Sequence, residues 1–271
     1  MIPKIIHYCW FGRGEMPELV QNCITSWHTY MPDWEYRLWN EASLSQTLNM
    51  PTPNPSLEGG RQTPLLNPPT KGDEDWLEYM PAYVKEAYAA KKYAFVSDYV
   101  RLWALNQEGG LYMDVDFEVY KPFDDLMDQY DAFAGYEGSK KKPVMMGVMA
   151  AHAHHHWIQE MMETYTDRRF VKEDGSLDMT PNTGYFFDWM TAQGFIADGK
   201  ERGWRGVHIL PVEYFCPELT TGENLRCERT YCEHKGLHSW SGDGGWKTKL
   251  LGIFSPKIRT ILIKLKRKIL R

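Results

Sequence analysis

The chain predicts an α/β fold with helices flanking a sheet, and three observations carry that prediction. Strand-like and helix-like segments alternate from Pro3 to about Leu126, the pattern from which α/β layers are built. The stretch Tyr93–Tyr120 reads as a helix, a Gly-Gly break and a strand ending in carboxylates. A length of 271 residues can bury a large core in one domain, set here at 1–254 with a tail at 255–271.

In chain order, Ile2–Gly12 is the first strand and runs into a glycine loop. Ligands of open α/β sheets sit at the carboxyl ends of strands, so Trp10 is placed to stack on a nucleotide base or to fill the core. Asn22–Tyr30 reads as a helix, and Met31–Trp39 as a turn and second strand. About 50–80 is an irregular insertion whose first part is rich in Pro, Gly, Asn and Thr, a lid over an acceptor or a variable loop. Tyr88, Val96, Tyr99, Val100, Trp103 and Leu105 are compatible with one buried helical stripe that ends at Gly109-Gly110. Asp98 and Arg101, three apart, are neighbours on that helix.

In the strand that follows, residues i and i+2 share a face. Asp114 and Asp116 therefore project together, with Tyr112 and Glu118. Two carboxylates that close repel unless a cation lies between them, and hard oxygen donors suit Mn²⁺ or Mg²⁺ held against a phosphate. D-x-D alone is a weak signal, and Asp73-Glu74-Asp75 repeats the pattern in a polar loop with no strand before it.

The context is more specific. Ser97-Asp98-Tyr99, Arg101, Leu105, Gly109-Gly110, Tyr112, Asp114 and Asp116 together resemble the D-x-D sugar-binding region of family 32 glycosyltransferases. Ile2-Pro3-Lys4, Ile6-His7, Trp10 and Gly12 are similar to the opening of that family, and Pro181-Asn182-Thr183-Gly184 to its N-T-G. Tyr231, His234 and Ser239-Trp240 resemble its late Y-x-x-H and S-W. The resemblance covers roughly 2–39 and 83–240 and implies a GT-A-like, Rossmann-related mixed sheet. It also implies a donor site of His7, Trp10, Asp98, Arg101, Asp114, Asn182, Ser239 and Trp240. Asp98, Arg101, Asp114 and Asp116 would be catalytic. Asp114, Asp116 and His234 would hold Mn²⁺ or Mg²⁺, with His238 a rival ligand. The implied activity is retaining transfer of a sugar from a nucleotide-sugar, a UDP-hexose or GDP-mannose, to a glycan or lipid-linked glycan in polysaccharide or lipopolysaccharide synthesis. A nucleotide-sugar hydrolase or phosphotransferase at the same site is the alternative, as is a non-catalytic sugar-binding relative.

The remaining features narrow the class. Five cysteines, an odd number, argue against a full disulfide framework. Cys227, Cys232 and His234 lack the second tight pair of a zinc site, and His152–His156 reads as the opening of a helix. Val144–Ala151 is a small, apolar strand. No apolar run reaches the length of a membrane span, and the start lacks a signal-peptide pattern. The tail holds seven of the 31 basic residues and no acid, which leaves 24 bases against 36 acids elsewhere. With Ile258, Ile261, Leu262, Leu265, Ile269 and Leu270 at helical spacing it reads as a basic amphipathic helix. That suits an anionic membrane surface, hence a peripheral location on the cytoplasmic face, or docking on the acidic domain. Bases confined to one short tail do not suggest nucleic-acid binding.

Overall fold

The computed structural model describes residues 1–49, 75–139 and 142–236. The insertion up to 74 and the tail 255–271 lie outside the described residues. The strands are β1 (Ile5–Cys9), β2 (Glu35–Trp39), β3 (Gly110–Met113), β4 (Phe117–Val119), β5 (Ala132–Ser139), β6 (Lys142–Ala151), β7 (Arg202–Trp204), β8 (Val207–Leu210) and β9 (Cys232–His234). The helices are α1 (Glu18–Tyr30), α2 (Glu41–Asn49), α3 (Ala82–Ala89), α4 (Tyr93–Glu108), α5 (Asp124–Gln129), α6 (His156–Glu163) and α7 (Asn182–Ala192).

Seven strands form one mixed sheet in the order β2-β1-β3-β6-β5-β8-β7, and β4 pairs with β9 in a separate two-stranded ribbon. β1 runs parallel to β2 and β3, while β6 is antiparallel to both β3 and β5. This is the mixed, helix-flanked sheet expected of a GT-A-like chain. α4 packs on β1, β3 and β6, and α7 on β6. The core between them is strongly aromatic: Trp27, Trp76, Trp157, Tyr83, Tyr112 and Tyr165 are fully buried.

Local chemistry explains the boundaries. α4 ends where Gly109 takes φ +67° and Gly110 takes φ +117°, backbone that a side chain resists. A Cβ on Gly110 would come within 2.6 Å of the Ile5 carbonyl, so the β1–β3 pairing itself requires glycine there. His155 caps α6, its ring accepting from the Trp157 N–H, which accounts structurally for part of the histidine run.

Four expectations need correction. Tyr88 belongs to α3, because the chain turns through Lys91, at φ +56°, before α4 begins. The irregular insertion does not reach 80, since Asp75–Tyr79 is a 3-10 turn whose Trp76 is buried against Phe11 and Tyr88. The first helix begins at Glu18, one turn ahead of Asn22. The strand carrying D-x-D also stops at Met113. The Asp114 N–H still bonds the Gly147 carbonyl at 2.8 Å, but the Phe117 N–H turns back on the Asp114 carbonyl at 3.3 Å. The motif is thus the turn at which the chain leaves the main sheet for the ribbon.

Candidate active site

Trp10, Asp98, Arg101, Asp114, Asp116, Asn182 and His234 all line one open cleft of about 640 Å³. Five separate parts of the chain deliver them: the end of β1, the interior of α4, the turn after β3, the start of α7, and β9.

Arg101 organises the floor. Its guanidinium donates to Asp98 Oδ1 at 3.0 Å, to the Met146 carbonyl at 2.6 Å and to the Ser97 carbonyl at 3.2 Å. It also lies 3.4 Å from Asp114 Oδ1 and over the Tyr112 ring at 4.6 Å. The Tyr112 hydroxyl donates to Asp114 Oδ1 at 2.7 Å. Asp98 and Arg101 are 8% and 5% exposed, so this is a buried pair rather than a solvated helix pair. Burial pushes the Asp98 carboxyl up to about 6 despite the pull of Arg101. Asp114 is likewise raised, by burial first and by the charge of Asp116.

The ribbon supplies the other side. Phe117 pairs with His234 in register, and the Lys235 N–H bonds the Asp116 carbonyl at 2.8 Å. That register brings His234 Nε2 to 3.0 Å from Asp116 Oδ2. Burial works against a charged His234, but the hydrogen bond and charge of Asp116 prevail and hold its pKa above the ordinary value. Gly147 is needed here for space, since a Cβ would fall 2.8 Å from Asp114 Oδ2.

The donors suit a divalent cation of the hard or borderline kind: carboxylate oxygens and one imidazole, with Asp114 raised in part by its neighbour's charge. Among the described residues no group of three or more His, Cys, Asp or Glu is arranged to hold a metal ion.

The structure places other predicted residues differently. His7 is fully buried and does not reach the cleft. Trp39 Nε1 donates to its Nδ1 at 3.1 Å, so Nε2–H faces the Gly109 carbonyl at 2.7 Å. Burial lowers its pKa to about 4, and its role is to tie β1 and β2 to the end of α4. Neither Asn182 nor Thr183 caps α7. Asn182 lines the cleft and is 6% exposed, and its Nδ2 is buried with no hydrogen-bond partner among the described residues. Ser239, Trp240 and the rival ligand His238 lie outside the described residues. Sequence reasoning missed Glu137 on β5, which lines the cleft and is hydrogen-bonded by Thr183. Burial lifts its carboxyl to about 7. An acid inside the largely apolar strand β5 is the signal that would have found it. All five cysteines are free thiols, and Cys227 and Cys232 belong to no described metal cluster.

Residues 17–133 match the family described as glycosyltransferase sugar-binding region containing DXD motif. Inositol phosphoceramide mannosyltransferase 1 of Schizosaccharomyces pombe is 25% identical over 131 residues, 47% of this chain and 32% of that protein. The chain thus spans about a third of the length of this relative. Among solved structures, PaToxG glycosyltransferase is similar over 60% of this chain and 59% of its own, at 18% identity and a TM-score of 0.41. Mouse xyloside xylosyltransferase 1 covers 88% of this chain and 99% of its own, at 10% identity and a TM-score of 0.44.

Proposed function

From a chain whose residues 17–133 match the DXD sugar-binding region of glycosyltransferases, we propose a metal-dependent enzyme that moves a hexose from a nucleotide-sugar to a glycan acceptor with retention of configuration. The observation that supports this reading is the convergence of Trp10, Asp98, Arg101, Asp114, Asp116, Asn182 and His234 on one cleft. A dispersed set would have no reason to meet there.

Each side chain has a task that its surroundings suit. Trp10, half-buried at the mouth with its indole N–H on the Gly14 carbonyl at 2.6 Å, offers a face for the base. Asp98 accepts hydroxyls of the transferred sugar. Arg101 fixes Asp98 and Asp114 and keeps both anionic enough to accept hydrogen bonds. Asn182, which lines the cleft, offers its amide to a sugar or acceptor oxygen. Asp114, Asp116 and His234 would hold Mn²⁺ or Mg²⁺. When bound, such a cation neutralises the departing diphosphate as a Lewis acid. The acceptor in this reading is a lipid-linked glycan at the cytoplasmic face of a membrane, reached through the basic tail.

Calorimetric titration with UDP, GDP and their hexose conjugates, in Mn²⁺ and then in EDTA, tests the reading. Metal-dependent binding of UDP-hexoses supports it, and preference for GDP moves the donor to mannose. Absence of binding by either nucleotide to folded protein would refute the donor site.

A further inference from the structure

Among the described residues four acids line the cleft, Asp98, Asp114, Asp116 and Glu137, and only the last has no task in the proposed reaction. Glu137 is half-buried near the end of β5. β1 and β3 are parallel, and β6 is antiparallel to both β3 and β5, so β1, β3 and β5 point the same way. Their carboxyl ends lie along one edge of the sheet, where ligands of α/β sheets bind. Trp10 follows the first of these strands, Asp114 follows the second, and Glu137 closes the third. In the order β1-β3-β6-β5, with neighbouring strands about 4.8 Å apart, β5 lies about 10 Å beyond β3 and about 14 Å from β1. Glu137 is therefore on the side of the D-x-D turn away from Trp10.

The intervening strand β6 lines the cleft with Gly147, which has no side chain to close the floor between Asp114 and Glu137. The backbone around Glu137 departs from a regular ladder. From Tyr136 to Ser139, three steps of β5 stand against two of β6, from Val144 to Lys142. Pairing with β8 ends at Gly135. Gly138 takes φ +67°, and its carbonyl accepts the Thr220 N–H at 3.0 Å and the Thr220 hydroxyl at 2.7 Å. Bulges of this kind re-aim a side chain beside a site. Thr183, at the start of α7, also lines the cleft and hydrogen-bonds Glu137. The approach to α7 is anchored in turn. Arg168 Nη2 donates to Asp178 Oδ2 at 2.8 Å, and Asp178 Oδ1 accepts the Thr180 N–H at 3.1 Å.

We propose that Glu137, positioned by Thr183, binds a hydroxyl of the acceptor sugar and sets which acceptor the cleft takes. This rests on the reading of Trp10 and the D-x-D turn as the base and diphosphate ends of the donor. In that reading the transferred sugar is held from α4, by Asp98 and Arg101, and the cleft continues past it to β5 and the start of α7. An acceptor that reaches the sugar from that side lies against Glu137 and Thr183. A carboxyl group accepts hydrogen bonds from sugar hydroxyls. A half-buried one that a matching hydroxyl satisfies also discriminates strongly against a ligand lacking that hydroxyl, because the carboxyl is then left unpaired.

The test compares the full wild-type chain with Glu137→Ala, Glu137→Gln and Thr183→Val in Mn²⁺. The donors are UDP- and GDP-hexoses, and the acceptor probes are methyl α- and β-hexopyranosides and disaccharide glycosides. Transfer gives KM for donor and for acceptor separately, and donor hydrolysis without acceptor is followed alongside. Glu137→Ala should raise the acceptor KM tenfold or more, and Glu137→Gln and Thr183→Val at least threefold. Donor KM and donor hydrolysis should stay within twofold of the wild type in all three. Glu137→Gln keeps the side-chain volume, so it answers even where Glu137→Ala unfolds. In the wild type one monodeoxy form of the best acceptor should match the loss seen in Glu137→Ala, and that variant should lose nothing further with it. A rise in donor KM as large as that for acceptor would move Glu137 to the donor site and overturn the proposal. Unchanged acceptor kinetics would overturn it, as would a wild type that hydrolyses donor but is speeded by none of the glycosides. A wild type that binds no nucleotide-sugar would refute the donor site first, and the acceptor role would fall with it.

Discussion

Replacing Arg101 with methionine keeps most of the side-chain length and removes the charge. The guanidinium is 5% exposed and contacts two carboxylates, Asp98 Oδ1 at 3.0 Å and Asp114 Oδ1 at 3.4 Å. A solvent-exposed pair of this kind would contribute at most about 1 kcal/mol. Breaking a buried one costs about 3–5 kcal/mol, because the stranded carboxylate has neither water nor partner. The carboxylates can escape by taking up protons, and that sets the pH dependence. Burial already holds Asp98 at about 6 in the folded protein, above the 3.8 of a free side chain. Without Arg101 the folded value rises further. Between the unfolded and folded values the native state binds more protons than the unfolded state, so stability falls as pH rises through that window. The damage should therefore approach 3–5 kcal/mol near pH 8 and shrink toward pH 5, where Asp98 is protonated in the variant at little cost. Urea unfolding at both pH values measures it, with an unchanged slope as the check on two-state behaviour. A loss below about 1 kcal/mol at pH 8, or a larger loss at pH 5 than at pH 8, would refute a buried, charge-coupled floor.

Asp116→Asn should abolish turnover and make nucleotide binding insensitive to EDTA; retained, EDTA-sensitive turnover would remove Asp116 from the metal site. Glu137 takes its proton at about 7 when folded against 4.5 in a free side chain, so it subtracts stability as pH rises from 4.5 to 7. Glu137→Gln should gain about 1–3 kcal/mol relative to wild type over that interval, read from melting curves across pH. Gly147→Ala puts a methyl 2.8 Å from Asp114 Oδ2 and 2.9 Å from the Phe117 ring, and should cost about 1–3 kcal/mol and at least tenfold in activity by displacing the Asp114 carboxylate. Removing 255–271 should release the protein from anionic vesicles while leaving soluble nucleotide binding intact; equal vesicle binding without the tail would defeat the membrane reading.

What the sequence made legible was local. Alternating strands and helices, the Gly109-Gly110 stop and the i,i+3 spacing of Asp98 and Arg101 are properties of neighbouring residues, and each is found in the structure. The departures that shape the site depend on residues far apart in the chain. The strand through D-x-D ends because β4 leaves to pair with β9, and the His234–Asp116 contact this creates spans 118 positions. His7 looked like a ligand group from its place in a motif. However, the core wraps nearly all of β1, so period-two alternation says nothing about which side faces a ligand. Glu137 sits between glycines in an apolar strand, and only Thr183 on α7 and the charges across the cleft give it a role. The order of events in the site follows from this geometry. α4 and β3 fix Asp98, Arg101 and Asp114 through short-range structure, whereas Asn182 and His234 arrive on elements whose placement depends on Arg168–Asp178 and on the β4–β9 ribbon. A mutation that loosens either link should therefore leave the acidic floor intact and selectively weaken the contacts made from α7 and β9.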